Sequence, residues 1–263
     1  AIVLFVLASG CAAPPRRPAA RAAPSPVLRV VLPDPPARLA SARVRYRGRV
    51  DVEREGGRRV LVESVALEDY VRGVLPGEVS ASWPPESLKA LAVVARSYAL
   101  AAWKRRGGGA LLEADTRDQK YCGRRCEDAR SDEAVRATRG IVLTYGGAPL
   151  PAFHHSNCGG GTADVREAWG GPLVPPLQGA ACRWCAGGPH HGPWTLEVPA
   201  ARLAKVLRSE LRGQGAVKGM TVAARWPSGR AREIAVRTPR GEVRVRAARL
   251  RELLGANELK STR

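Results

Sequence analysis

The sequence predicts an α+β fold, on three observations. Period-2 apolar alternation clusters near the start and end of the folded part, apolar residues at helical spacing dominate its middle, and neither is arranged as a regular strand-helix-strand series. No internal repeat is visible. From residue 42 to 65, Val44, Tyr46, Val50, Val52, Val60 and Val62 alternate with polar residues around Gly56-Gly57, the pattern of a β-hairpin with one buried face. The stretch LEDYVRGVLP follows as a short helix expected to stop at Pro76. A stronger helix then starts at Pro84-Pro85, runs through Leu88, Leu91, Ala92, Ala95, Tyr98, Ala99 and Ala102, and ends at Lys104, Arg105, Arg106 and the triple glycine 107–109. Residues 131–139 read as another short helix. GIVLTY, Gly146-Gly147 and APLPAFHHS read as a second hairpin, and 156–193 as a Gly- and Pro-rich loop region. Beyond it the pattern predicts helix over 200–212, alternating strands over 217–226 and 231–246, and a final helix over 247–254.

The folded part is preceded by two segments of another kind. AIVLFVLASGC is an apolar run too short to span a bilayer and ends in small residues, which is the pattern of a signal-peptide core. Leu7-Ala8-Ser9-Gly10-Cys11 resembles the bacterial lipobox, so Cys11 is the expected lipidation site, with an ordinary secretory signal as the alternative. The absence of an initial Met and of a basic leading segment suggests that the start is missing. Residues 12–41, rich in Pro, Ala and Arg, read as an extended tether, leaving 42–263 as the folded domain. The reading is therefore an exported protein of the bacterial cell envelope, held to the membrane through a lipid.

The 263 residues carry 43 Lys+Arg against 24 Asp+Glu, a formal net charge of +19, and only six of the basic residues are Lys. Hydrophobic residues at 44% and charged ones at 25% exclude disorder of the chain as a whole. The charge invites an anionic partner: nucleic acid, a membrane surface or an acidic polymer. The Arg-rich runs carry almost no interleaved aromatics, which argues against stacking on single-stranded bases, and export removes nucleic acid from the expected partners.

The sharpest chemical signal is Glu78, in GVLPGEVSASW between the two central helices, where a carboxylate can be held rigidly for acid-base work. Its surroundings, residues 67–78, then Trp83-Pro84, then 86–100, closely resemble the signature of the SpoIID/LytB family. Further pieces follow in the family's order. They are Asp115-Thr116 with Gln119 and Tyr121; Ala134-Val135 and 137–140 with Tyr145; His155-Ser156 with Cys158-Gly159-Gly160 and Thr162; and Trp169-Gly170.

The resemblance covers about residues 42–260. It implies a lytic transglycosylase that cleaves MurNAc-GlcNAc bonds of peptide-stripped peptidoglycan and forms 1,6-anhydro-MurNAc, with Glu78 as the one acid/base and no cofactor in catalysis. It equally allows a non-catalytic binder of glycan strands that recruits or stimulates an N-acetylmuramoyl-L-alanine amidase. On the same basis Arg96, Gln119, Tyr121 and His155 are candidate substrate-binding residues, Arg96 for a lactyl carboxylate, although a helix-face Arg in a structural ion pair is the plainer reading. Trp83 is a candidate sugar platform, and more readily a residue that packs to lock the turn. Burial is expected to raise the pKa of Glu78. A Gly-His-Gly-containing segment is expected after Leu259-Lys260-Ser261, where the sequence instead stops at Arg263, so the C-terminal segment is expected to be missing.

Six cysteines complete the picture. If Cys11 is lipidated, five remain and cannot all pair. Cys158, Cys182, Cys185 and His190 offer four ligands for a structural, tetrahedral zinc that would clamp the 156–193 loop. Cys122 and Cys126 then remain as a local disulfide, or one of them replaces His190. The competing reading is a disulfide within Cys158, Cys182 and Cys185.

Overall fold

A computed structural model describes residues 26–109, 111–187, 194–256 and 258–262, which fall into two compact units divided between His154 and His155. Both contain helices and sheet, as an α+β fold requires. The signal, Cys11 and the first half of the expected tether lie outside the described residues. No helix among the described residues is long and apolar enough to cross a membrane.

The first unit is built on a four-stranded sheet in the order β2-β3-β1-β4. Strand β1 (Val27–Val31) pairs antiparallel with β3 (Arg58–Ala66) and parallel with the short β4 (Leu111–Glu113). This strand corrects the expectation of a tether through residue 41. The run VLRVVL sits between Pro26 and Pro33, and its alternate residues Leu28, Val30 and Leu32 are buried. Proline-rich flanks had concealed a β-branched strand of period 2. A helix, α1 (Leu39–Arg45), follows where the first arm of the hairpin was expected to begin. The hairpin itself starts at β2 (Arg49–Glu55) and turns into β3 through Gly56 and Gly57, both at positive φ, as a two-residue connection demands.

Helix α2 (Leu67–Glu78) carries Glu68 and Asp69 in its first turn, where the helix dipole favours negative charge. It does not stop at Pro76. A proline here forfeits only the bond its own N–H would make to the preceding turn. The turn survives around it, Val79 N–H donating to the Leu75 carbonyl at 3.2 Å. Helix α3 (Pro85–Arg105) begins with proline at its first position and buries the expected apolar stripe. Helix α4 (Ala129–Ala137), capped by the Asp128 carboxylate on Arg130 N–H, packs beside it, Ala134 and Val135 joining the core. The second hairpin is present but reduced to β5 (Thr144–Tyr145) and β6 (Ala148–Pro149) around Gly146-Gly147.

The second unit starts with irregular chain, closed on itself by a bridge between Gly161 and Ala181 and interrupted by a short helix, α5 (Val165–Trp169). Helices α6 (Ala200–Val206) and α7 (Arg208–Leu211) replace the single expected helix. The antiparallel sheet β7 (Gly219–Arg225), β8 (Ala231–Thr238), β9 (Gly241–Arg246) follows, then α8 (Ala247–Leu254). The alternating stretch 231–246 is thus two strands, because Pro239 cannot donate to a ladder and Gly241 takes a φ of 125°. Leu203, Leu207, Leu211, Ile234, Val236, Val245, Leu250 and Leu254 form the core of this unit.

Candidate functional site

Glu78 is the last residue of α2, and two glycines determine what meets it. At Gly73 a Cβ would collide with the Tyr121 ring, and at Gly77 it would lie 2.5 Å from the Lys120 carbonyl oxygen. The bare backbone of α2 therefore lets the segment around Lys120 press against the helix. In that position Lys120 N–H donates to Glu78 Oε1 at 2.8 Å. The other oxygen, Oε2, lies 3.3 Å from His154 Nε2, just beyond the second hairpin. The Glu78 side chain is 16% exposed, so the carboxyl is fixed at both oxygens yet reachable from solvent.

The expected rise in the Glu78 pKa is not what this geometry gives. Burial is the largest single influence and does raise it, but hydrogen bonds from His154 and from Lys120 N–H, with the positive charges of both side chains, hold the carboxyl below its ordinary value. Glu78 therefore rests as a carboxylate.

Of the other candidates, Arg96 is wholly buried. It makes a two-pronged ion pair with Glu68, Nε and an Nη each at 2.9 Å, and donates to the carbonyls of Ile141 and Val135 at 3.1 and 3.3 Å. It is an internal clamp joining α2, α3 and the end of α4, with nothing left for a ligand. Gln119 is buried, accepting from the Tyr70 hydroxyl at 3.3 Å, and its Nε2 has no partner. Tyr121 is buried too, stacked on Tyr70 with ring centroids 5.1 Å apart and on Tyr46 at 6.0 Å. Both shape the site from below and do not line it, because the close approach of their segment to Gly73 turns the side chains into the core. Trp83 is half-buried against the same core.

His155 is exposed, and its neighbour His154 is the residue that reaches Glu78. His154 was not among the residues the sequence singled out. The alternation of Pro151, Ala152 and Phe153, with Ala152 buried and Phe153 exposed, was the available signal.

In the second unit, Cys158, Cys182 and Cys185 converge, their sulfurs all within 4.8 Å and the Cys158 and Cys185 sulfurs 3.2 Å apart. Arg230 braces the Cys158 turn, donating to the Cys158 and Gly161 carbonyls at 3.0 Å each. The Cys182 thiol is shifted toward the thiolate by the Trp184 N–H and the Cys158 thiol, while burial pushes Cys158 up to about 11. Three sulfurs at this spacing fit the soft donor set of a tetrahedral zinc. His190 lies outside the described residues. Cys122 and Cys126 are joined as a disulfide.

Fold and site together define an α+β protein that holds one half-buried carboxylate at a helix end, between a backbone N–H and a histidine. Residues 55–145 match the family described as Stage II sporulation protein (SpoIID). It is 37% identical over 138 residues to an uncharacterised protein of Brachyspira hyodysenteriae, covering 52% of this chain and 37% of that protein. To the stage II sporulation protein D of Bacillus subtilis it is 27% identical over 176 residues, 61% of this chain and 51% of the relative. To the amidase enhancer of the same organism it is 35% identical over 99 residues, 38% of this chain and 13% of the relative. The matches thus span about half the length of these relatives, or less.

Proposed function

We propose that this protein is a peptidoglycan lytic transglycosylase with Glu78 as its acid/base. The observation that carries the reading is the position of Glu78: within the matched segment, fixed by Lys120 N–H and His154, and still partly exposed to solvent. In the proposed reaction the protonated carboxyl gives its proton to the oxygen linking MurNAc to GlcNAc, and the C1–O bond breaks. The resulting carboxylate takes the proton of the MurNAc 6-hydroxyl as O6 bonds to C1. The acid is regenerated, and the products are a 1,6-anhydro sugar and a free GlcNAc end. Because the nucleophile belongs to the substrate, one carboxyl suffices, and the second carboxylate of ordinary glycosidases has no part to play. Glu78→Gln keeps the size and the hydrogen bond to Lys120 N–H but carries no titratable proton. Turnover of peptide-stripped glycan, followed by mass spectrometry of 1,6-anhydro-MurNAc products, should fall by about 10²- to 10⁴-fold, the usual worth of general acid-base catalysis. Undiminished release from a folded variant would sink the reading.

The likeness to the amidase enhancer favours a second reading, a glycan binder that stimulates a peptidoglycan amidase. Binding to stripped glycan with no anhydro product, together with faster amidase turnover on addition of the protein, distinguishes it. Under either reading the protein works outside the cytoplasmic membrane, and lipidation at Cys11 would hold it to the envelope. The Cys158, Cys182 and Cys185 cluster supports a structural zinc with His190 as fourth ligand, playing no part in the chemistry. Metal analysis of the purified protein should give one zinc per chain, lost on Cys182→Ser; a metal-free protein that keeps its fold overturns the assignment.

A further inference from the structure

Glu78 rests as a carboxylate, yet the reaction proposed above begins with a carboxylic acid, so the proton must come from somewhere. The groups around it are few. From α2 the Tyr70 phenol stands nearby, its ionisation opposed mainly by burial and in part by the negative charges of Asp118 and Glu78. Asp118 is itself engaged by Arg106 at 2.9 Å and by the Tyr98 hydroxyl at 2.7 Å, both from the α3 end of the unit. Lys120 reaches Oε1 with its backbone N–H, which has no proton to give at neutral pH. His154 alone among these contacts Glu78 through a titratable nitrogen, at Oε2, and the residue before it, Phe153, packs edge-on against Tyr98 with centroids 5.8 Å apart.

We propose that His154 stores the proton that Glu78 donates, the two side chains acting as one acid. While the proton sits on His154 the pair is imidazolium beside carboxylate, an arrangement that water in an open site solvates well. When a glycan strand covers it, an ion pair loses that solvation, whereas a neutral pair loses little. The Nε2–H bond then breaks, its proton passes to Oε2, and the electron pair stays on Nε2, leaving neutral imidazole beside a carboxylic acid ready to protonate the glycosidic oxygen. After the 6-hydroxyl proton has returned to Glu78 and product has left, the proton moves back to Nε2. His154 acts through Glu78, so it is a positioning and proton-holding residue. The inference rests on the lytic reading for its purpose and on the 3.3 Å contact for its existence.

Two measurements on the whole chain separate those supports. In His154→Gln the Glu78 carboxyl, followed by its side-chain carbon resonance, should titrate at higher pH than in the native protein, since it loses a positively charged partner. Over the same pH range kcat/KM on stripped glycan should change shape: its alkaline limb should move to lower pH by about a unit or more, because the pair's proton is now held by the carboxyl alone. A variant with an unmoved carboxyl midpoint, or one uniformly slower at every pH, overturns the proposal. If native protein yields no anhydro product while the midpoint still moves, the lytic reading fails and the coupling of the pair stands. His154→Asn, read in the same two ways, serves if the Gln variant does not fold.

Discussion

Glu68 and Arg96 show at the residue scale why a charged side chain in a family signature need not touch a ligand. The Arg96 guanidinium is sealed in the first unit and spends its donors on one carboxylate and on backbone carbonyls, tying α2 to α3, to α4 and to the chain just after it. Removing one partner of such a pair leaves the other partly buried and uncompensated, at a cost of about 3–5 kcal/mol. Arg96→Ala is therefore expected to lower stability by that amount in chemical denaturation, and Arg96→Lys by less, since an ammonium keeps the charge but loses the fork. If Arg96→Ala instead left the unfolding midpoint unmoved and raised KM alone, Arg96 would belong to substrate binding after all.

At the scale of elements, α2 and the segment after β4 make the site jointly, through glycines that no chemical motif highlights. Gly77→Ala places a methyl 2.5 Å from the Lys120 carbonyl oxygen, a backbone atom that can retreat only by moving its own N–H away from Glu78. The expected result is a loss of about 1–3 kcal/mol in stability from overpacking, together with a fall in turnover beyond what the folded fraction accounts for. Activity per folded molecule equal to native would show that the Lys120 N–H does not matter. Sequence reading reached Glu78, α3, α4, α8 and the β2–β3 turn, because helical spacing, caps and a Gly-Gly turn are local signals. It missed β1, whose pairing with β3 and β4 spans tens of residues, and it took Pro76 for a stop when the helix continues two residues further, to Glu78. It also assigned Gln119 and Tyr121 to a cleft wall. Which side of a loop faces the core depends on what the loop packs against, and here that is Gly73, 46 and 48 positions earlier in the chain.

Across the whole molecule the excess of basic over acidic residues is +19, and all but six of the basic residues are arginine. Many of these arginines already hold carboxylates of their own chain, as Arg117 holds Asp115 and Arg249 holds Glu210, so the surplus must be sought in the unmatched remainder. Under the proposed function the partner is a glycan whose stripped MurNAc residues each present a lactyl carboxylate, a line of negative charge at regular spacing. Attraction of that kind acts through solvent and is screened over about 10 Å at 0.1 M salt and about 3 Å at 1 M. Binding to stripped glycan should therefore weaken steadily as sodium chloride rises from low salt to 1 M. Chitin, a neutral glycan without lactyl groups, should bind with a shallower dependence. A sedimentation assay with both polymers at several salt concentrations decides the matter. Equal slopes for the two would mean that the charge serves the envelope at large and not the stripped strand, while a flat response for both would remove electrostatics from recognition altogether.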